Sequence, residues 1–197
     1  MADRSTTIER KTNETDIRLT LQVDGSGIIA VQTGLPFFDH MVNQLAKHGG
    51  MDLDLRCAGD LSIDAHHTVE DVGIALGEAL SVALGDKRGV RRFASSRVPL
   101  DEALAEVALD LSGRPYLHYA VDFPGEKILS DPPFDPQLLE EFWRALVTAA
   151  GWTLHIDLVR GRNTHHIIEA SFKAVARAVR DAVRVESEDL PSTKGVL

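Results

Sequence analysis

The chain has 197 residues, of which 44% are hydrophobic and 26% charged, and its net charge is −9 at pH 7. This composition is typical of a globular protein with a substantial core and excludes long disorder. The acidic balance argues against binding nucleic acid or an anionic membrane surface. No stretch approaches the ~18 apolar residues of a membrane span. The charged N-terminus lacks the apolar run of a secretory signal, and the single cysteine, Cys57, excludes an intrachain disulfide. A reducing cytoplasm is therefore the expected location.

The first half of the chain alternates between strand and helix patterns. Apolar residues at every second position predict strands with one buried face, at residues 15–24, 27–33 and 51–55. Asp24-Gly25 is a hairpin signal, so we expect the first two of these strands to be joined by a tight turn. Apolar spacings of three and four predict helices, at residues 37–47, closed by Gly49-Gly50, and 66–84, closed by Gly85.

The second half repeats this order, with predicted strands at 105–111 and 153–159 and predicted helices at 137–150 and 165–183. The halves superpose with a shift of about a hundred residues and a two-residue gap, which indicates an internal repeat. We therefore expect an α+β fold of two tandem repeats, 1–93 and 94–185, followed by a tail, 186–197. Each repeat is expected to be a small, mostly antiparallel sheet with helices packed on one face.

The two long helices open with the same motif, HHxxE. His66, His67 and Glu70 begin the first helix, and His165, His166 and Glu169 begin the second. Because residues four apart share a helix face, each first histidine and its glutamate can hold one metal ion. Adjacent residues diverge by about 100°, so His67 and His166 should face a second ion. Nitrogen and carboxylate donors without thiolate suit Mn, Fe, Co, Ni or Zn.

One further ligand in each half is suggested by the repeat. His40 lies at the start of the first short helix, and Glu141 is its equivalent in the second half. Both residue types bind divalent metals. The two halves together therefore offer eight candidate ligands.

Several segments give this sequence a specific family resemblance: LPFFDHM, DAHHTVEDVGIALGEAL, DLSGRPYL, GRNTHHIIEASFKAVARA and the terminal PSTKGVL. Together they resemble the marker segments of the imidazoleglycerol-phosphate dehydratases of histidine biosynthesis, from Ile8 to Leu197. The resemblance implies a lyase that converts imidazoleglycerol phosphate into imidazoleacetol phosphate. It also implies a fold like the second domain of ribosomal protein S5, two Mn ions per active site, and an assembly of twenty-four subunits built from trimers.

The resemblance also implies roles for individual residues. The metal ligands would be His40, His66, His67, Glu70, Glu141, His165, His166 and Glu169. Many relatives carry histidine where this chain has Glu141. The substrate would be bound by Glu14, Gln44, Arg92, Arg114, Lys173, Ser192 and Lys194. The predicted catalytic residues are Glu14, Glu169, His48 and Asp101. Glu14 matches the family's N-terminal glutamate and is the acid/base candidate, whereas Asp101 and His48 are weaker candidates for positioning or proton relay.

The reaction explains why two metals would be needed. The proton that is removed lies on a carbon that is not next to a carbonyl group. An imidazole ring that bridges two ions as imidazolate can act as the electron sink instead. The hydroxyl then leaves through a diazafulvene-like intermediate, and the resulting enol becomes the ketone.

Two other functions stay open at this point. A dinuclear metallohydrolase acting on a phosphate ester would use the same ligands, but it would release inorganic phosphate. A metal store or carrier would bind the ions without a phosphate pocket, so Arg114 and the PSTKG tail argue against it.

Overall fold

Each half of the chain forms one four-stranded sheet. The computed structural model describes residues 4–124, 129–195 and 197. The first sheet has the order β1-β2-β4-β3 and consists of β1 (Ser5–Lys11), β2 (Thr15–Gln22), β3 (Ile29–Gln32) and β4 (Asp52–Gly59). The second has the equivalent order β5-β6-β8-β7 and consists of β5 (Phe93–Leu100), β6 (Ala103–Asp110), β7 (Tyr116–Ala120) and β8 (Thr153–Arg160). The predicted α+β fold with two repeats is confirmed.

The helices connect the two halves. They are α1 (Pro36–Gly49), α2 (His66–Leu84), α3 (Leu138–Ala150) and α4 (Thr164–Ala182). In each half, the helices contact one face of their own sheet, and they also contact the other half in the pairs α1–α4 and α2–α3. In the described part of the chain, no helix is long and apolar enough to cross a membrane.

The strands bury alternate residues, as the period-two pattern predicts. Ile17, Leu19 and Leu21 of β2 are at most 1% exposed, whereas the residues between them are exposed. Since alternate side chains leave opposite faces of a strand, one face of this sheet lies on the helices and the other is solvated.

The predicted hairpin at Asp24-Gly25 is wrong. β3 pairs in parallel with β4 and does not contact β2, which pairs with β1 and β4. The Gly25 amide donates to the Gly50 carbonyl oxygen at 2.9 Å, and the Asp52 carboxylate accepts from the Gly27 and Ile28 amides at 2.6 and 2.7 Å. These bonds hold residues 25–28 across the start of β4, so that β3 pairs with the edge of β4 that β2 does not occupy. The strands β1, β5 and β7 were not predicted.

Two glycines allow α2 to approach α3 closely. A Cβ on Gly73 would lie 2.7 Å from the Phe142 carbonyl oxygen, and one on Gly77 would lie 2.4 Å from that of Leu146. Both distances are too short for real contacts, so the two backbones touch at these points. Because α2 and α3 begin with candidate ligands, this contact sets the spacing between His66 and Glu141.

We expect Gly77→Val to lower the free energy of unfolding by about 2 kcal/mol, because extra atoms in a tightly packed interface force backbone shifts. Chemical denaturation of the metal-free protein measures the change. Glu78→Ala, at the exposed neighbouring position, is the control and should change stability by less than about 0.5 kcal/mol. Equal stability of Gly77→Val and the unmodified chain would contradict a backbone contact here.

Candidate active site

Three candidate ligands from both halves meet where α1 packs on α4. His165 Nε2 lies 2.9 Å from Glu169 Oε2, and His40 Nε2 lies 3.3 Å from the same oxygen. One ligand atom from each of these residues lies within 4.8 Å of the other two. All three side chains are in the first two turns of their helices, so the parallel packing of α1 on α4 brings them together. This arrangement can chelate one divalent ion.

Glu169 is the centre of this cluster. The residue is only 9% exposed, and Lys173 donates to its other oxygen, Oε1, at 2.7 Å. Burial by itself would raise the pKa of Glu169, but the hydrogen bonds from Lys173, His165 and His40 outweigh it and lower the pKa to about 2. The carboxylate is therefore ionised at any physiological pH, as a metal ligand must be.

The equivalent set in the other half is more open. His66 Nε2 lies 3.8 Å from Glu70 Oε2, and Glu141 Oε2 lies 3.6 Å from Arg144 Nε. His66 and Glu141 line the same cavity, of about 420 Å³. The side chains of His66, Glu70 and Glu141 are 42%, 44% and 39% exposed. The residues of this second set are therefore neighbours, but their ligand atoms do not converge as those of the first set do.

His67 and His166 contact other carboxylates than these clusters do, namely Asp60 and Glu14 for His67, and Glu102 and Asp101 for His166. The ring planes of His66 and His67 are 86° apart, and those of His165 and His166 are 82° apart. Nδ1 of His67 lies 2.9 Å from Asp60 Oδ2, and Nδ1 of His166 lies 2.8 Å from Glu102 Oε2. An Nδ1–H donated to a carboxylate leaves the Nε2 lone pair free for a metal and raises its basicity.

The carboxylates of Asp60 and Glu102 were not predicted as functional groups. Both accept a hydrogen bond from a histidine Nδ1, but they lie at different places in the two halves. Asp60 follows β4, whereas Glu102 lies in the β5–β6 turn. The repeat therefore gave no signal for them. The two carboxylates are recognised only from the three-dimensional structure, where each lies beside a histidine.

Glu14 and Asp101 lie in equivalent turns, β1–β2 and β5–β6. Glu14 Oε1 lies 3.6 Å from His67 Nε2, and Asp101 Oδ2 lies 3.8 Å from His166 Nε2. Both distances exceed those of a hydrogen bond, and the side chains are 51% and 74% exposed. Each acid is thus close to a free imidazole nitrogen and open to a ligand from outside.

Gln44 and His48 extend the first cluster along α1. His48 Nε2 lies 3.0 Å from Gln44 Oε1, one helical turn away. Burial lowers the pKa of His48, and the charges of Lys173 and Arg177 lower it further. Since an ordinary imidazole has a pKa of about 6.5, His48 is mostly neutral at pH 7 and can donate or accept a proton.

The other predicted phosphate ligands gather elsewhere. Arg92 Nε donates to Asp110 Oδ1 at 2.7 Å, and its Nη1 donates to the Pro191 carbonyl oxygen at 2.7 Å. Arg114 Nη2 lies 3.9 Å from Asp110 Oδ2. The tail that holds Ser192 and Lys194 ends close to Gly113: a Cβ on Gly113 would lie 2.8 Å from the carbonyl carbon of Leu197. Arg92, Arg114 and the tail therefore lie around Asp110.

This group lies at the opposite end of β6 from the histidine His166. Glu102, the partner of His166, precedes β6, and Asp110 ends it. At ~3.3 Å per residue, the eight steps along the chain from Glu102 to Asp110 span about 26 Å. The predicted phosphate ligands of one chain, apart from Lys173, are thus far from His166 of the same chain.

The donors available for a metal are nitrogen and oxygen. Burial raises the pKa of the Cys57 thiol to about 12, and nearby carboxylates add to the effect. Cys57 is therefore neither a nucleophile nor a thiolate ligand. The cluster at His40, His165 and Glu169 offers imidazole donors, which suit Fe, Ni and Zn, and a carboxylate donor, which suits Mn.

We expect Arg92→Ala to release the tail, because the Pro191 carbonyl oxygen loses its donor and Asp110 loses its ion partner. Limited proteolysis should cleave residues 186–197 faster, and the free energy of unfolding should fall by about 1–3 kcal/mol. The control is Arg97→Ala, which removes an exposed ion pair with Glu106 and should change neither. Unaltered cleavage of the Arg92 variant would show that other contacts hold the tail.

Comparison with known proteins identifies the family. Residues 33–179 match the family model described as imidazoleglycerol-phosphate dehydratase. The chain is 56% identical over 197 residues to the imidazoleglycerol-phosphate dehydratase of Cereibacter sphaeroides strain KD131, covering 98% of this chain and 100% of that one. It is 55% identical to that of Acetivibrio thermocellus, covering 99% and 100%.

Solved structures agree. The imidazoleglycerol-phosphate dehydratase of Staphylococcus aureus matches with a TM-score of 0.81 and 38% identity, over 90% of this chain and 97% of that one. The Pyrococcus furiosus structure, in complex with (S)-C348, matches with a TM-score of 0.83 and 38% identity, over 96% and 100%. With these identities extending over nearly the whole chain, this protein belongs to the imidazoleglycerol-phosphate dehydratase family and is a lyase of histidine biosynthesis.

Proposed function

We propose that this enzyme removes water from D-erythro-imidazoleglycerol phosphate to give imidazoleacetol phosphate with the help of two Mn ions per active site. The observation that carries the proposal is the convergence of His40, His165 and Glu169 from the two halves of the chain. A packing role does not require two imidazoles and a carboxylate on one point. The family relation supplies the reaction.

The residues divide between two ions. His40, His165 and Glu169 would hold one ion, and His66, Glu70 and Glu141 would hold the other. The remaining ligands, His67 and His166, have Nδ1 bonded to Asp60 and Glu102, which leaves Nε2 available to an ion. When bound, the two ions would stabilise the imidazolate form of the substrate ring, which then serves as the electron sink that the carbon chain lacks.

The proton transfers are assigned to side chains close to these ligands. Glu14 and Asp101 are exposed carboxylates near free imidazole nitrogens, so either can take or return a proton at the substrate side chain. Glu14 is the foremost candidate and Asp101 the second. His48, which is mostly neutral at pH 7, would relay a proton or orient the substrate together with Gln44.

The substrate phosphate requires local cations, because the chain as a whole is acidic. Lys173 lies one turn beyond Glu169 and would supply one charge at the metal site. Arg92, Arg114, Ser192 and Lys194 lie at the other end of β6, and the length of the strand keeps them from His166 of the same chain. We therefore propose that a neighbouring subunit contributes them, with guanidinium groups suited to phosphate oxygens.

A shared site requires a homo-oligomer. The proposed form has twenty-four subunits built from trimers, works in the cytoplasm, and has neither nucleic acid nor membrane as a partner. Metal would link the subunits: in its own chain His67 contacts Asp60 and Glu14 and His166 contacts Glu102 and Asp101, so each Nε2 is available to an ion held by another subunit. The alternative of a phosphate-ester hydrolase is not favoured by the family match.

The direct test is the product formed from imidazoleglycerol phosphate. We expect Mn-loaded protein to form imidazoleacetol phosphate, observed by NMR, and exhaustive chelation to abolish turnover until Mn is restored. Inorganic phosphate as the product would instead establish the hydrolase. Normal turnover by fully metal-free protein would refute the role of the ions.

Assembly provides an independent test of shared sites. We expect metal-free protein to dissociate into a smaller species, the trimer, and Mn to restore the large assembly. His66→Ala and His165→Ala should also stay small, because each loses a chelating His–Glu pair. His155→Ala is the control, since His155 lies on β8 beside His118 and Tyr116, away from the ligands. Light scattering decides the question, and full-size metal-free protein would mean that the ions do not link subunits.

A further inference from the structure

The two ligand sets have equivalent positions in the repeat but different chemistry. The first set, at α1 and α4, has two imidazoles and one carboxylate: His40, His165 and Glu169. The second set, at α3 and α2, has one imidazole and two carboxylates: His66, Glu70 and Glu141. The difference arises at one pair of equivalent positions, His40 and Glu141.

The first set is already organised for an ion. Its three ligand atoms lie within 4.8 Å of one another. Glu169 turns one oxygen to the imidazoles while Lys173 holds the other at 2.7 Å. The positive charge of Lys173 offsets the carboxylate, so the set is nearly neutral. An ion that enters here needs little movement of the ligands.

The second set must rearrange before it can bind. Arg144 contacts both acidic residues at the start of α3, with Nη2 at 2.5 Å from Glu140 Oε1 and Nε at 3.6 Å from Glu141 Oε2. Ile74 takes the place on α2 that Lys173 has on α4, one turn beyond the glutamate. The second set is therefore net negative, and the ion pair of Glu141 with Arg144 competes with an ion for the Glu141 carboxylate.

We propose that the two metal sites are unequal, and that Arg144 and Glu141 make them so. A borderline ion such as Ni²⁺ binds first and more tightly at His40, His165 and Glu169, because imidazole suits it better than carboxylate does. Mn²⁺ favours oxygen donors more, and the negative second set attracts it. Its two binding steps are therefore closer together. This inference rests on the proposed two-metal function.

Assembly does not remove the difference. Whichever neighbour completes each ion's shell, it adds His67 or His166. Each of these has its Nδ1 bonded to a carboxylate, at 2.9 and 2.8 Å, and its Nε2 free. The added donors are thus alike, and the inequality of the two sets persists in the oligomer.

The experiment is a calorimetric titration of the metal-free full chain with Ni²⁺ and, separately, with Mn²⁺. For Ni²⁺ we expect two steps whose dissociation constants differ by about tenfold or more, the scale on which support of a metal ligand changes affinity. For Mn²⁺ the two constants should differ by a smaller factor. The electron paramagnetic resonance signal of free Mn²⁺ provides a second measure of the bound ions.

Three variants locate the cause. Glu141→His gives the second set two imidazoles and should bring the two Ni²⁺ steps together. His40→Glu gives the first set two carboxylates and should remove the tight step. Arg144→Gln frees Glu141 and should tighten only the second step, by about two- to fivefold, the scale of an exposed ion pair.

Arg97→Gln is the matched control for Arg144→Gln. Arg97 is 58% exposed and its Nε lies 3.5 Å from Glu106, whereas Arg144 is 54% exposed. The control should leave both steps unchanged. It removes the same charge from a similar ion pair, away from the ligands, so it separates release of Glu141 from a general change in net charge.

Each outcome has one meaning. Two indistinguishable Ni²⁺ sites in the unmodified chain would overturn the proposed inequality and leave the two-metal function standing. A Ni²⁺ separation that persists in Glu141→His would overturn the assignment to this residue. Absence of any Mn²⁺ or Ni²⁺ binding would refute the metal function and this inference together. The comparison of the two metals uses only the unmodified protein, so it does not depend on a variant that folds.

Discussion

The buried carboxylate of Glu169 is the group on which the rest of the site depends. A charge that is 9% exposed is costly unless it is paired and hydrogen-bonded. Its partners come from two elements: Lys173 and His165 lie on α4, whereas His40 lies on α1 in the other half of the chain. Correct docking of the halves is therefore required both to satisfy this charge and to gather the ligands. Stability and metal binding share one contact.

Docking of the halves is set by backbone packing and not by the polar groups themselves. Gly73 and Gly77 bring α2 of the first half into contact with α3 of the second. This contact limits the relative orientation of the two halves. Polar pairing then differs between the halves. In the first, buried Asp71 accepts from Thr15 and pairs with Arg10, while Ala170 occupies the equivalent place in the second. The repeat thus preserves the strand order and allows the charges to change.

Sequence patterns predict those structural features that are determined by residues close together in the chain. The helix that begins at His66 and the alternation in β2 follow from local apolar spacing, and the paired HHxxE motifs follow from the repeat. The partner of β3 could not be deduced, because the Gly25 and Asp52 bonds that send it past β4 are made between distant residues. Asp60 and Glu102 were missed for a related reason: the same imidazole bond is made from two unrelated loops. The ion pair between Arg144 and Glu141 likewise depends on side-chain conformation, which spacing alone does not fix.

The length of β6 finally determines what one chain can do alone. Its two ends carry different chemistry, with Glu102 beside His166 at one and Asp110 beside Arg92 at the other. A separation of about 26 Å exceeds the size of a small phosphorylated substrate, so no such molecule can touch both ends at once. A rigid strand cannot shorten. The C-terminal tail is held at the Asp110 end of β6, because Arg92 donates to the Pro191 carbonyl oxygen and Leu197 lies against Gly113. If one substrate is to meet both groups, the second must come from another copy of the chain, and the catalytic unit is then the assembly.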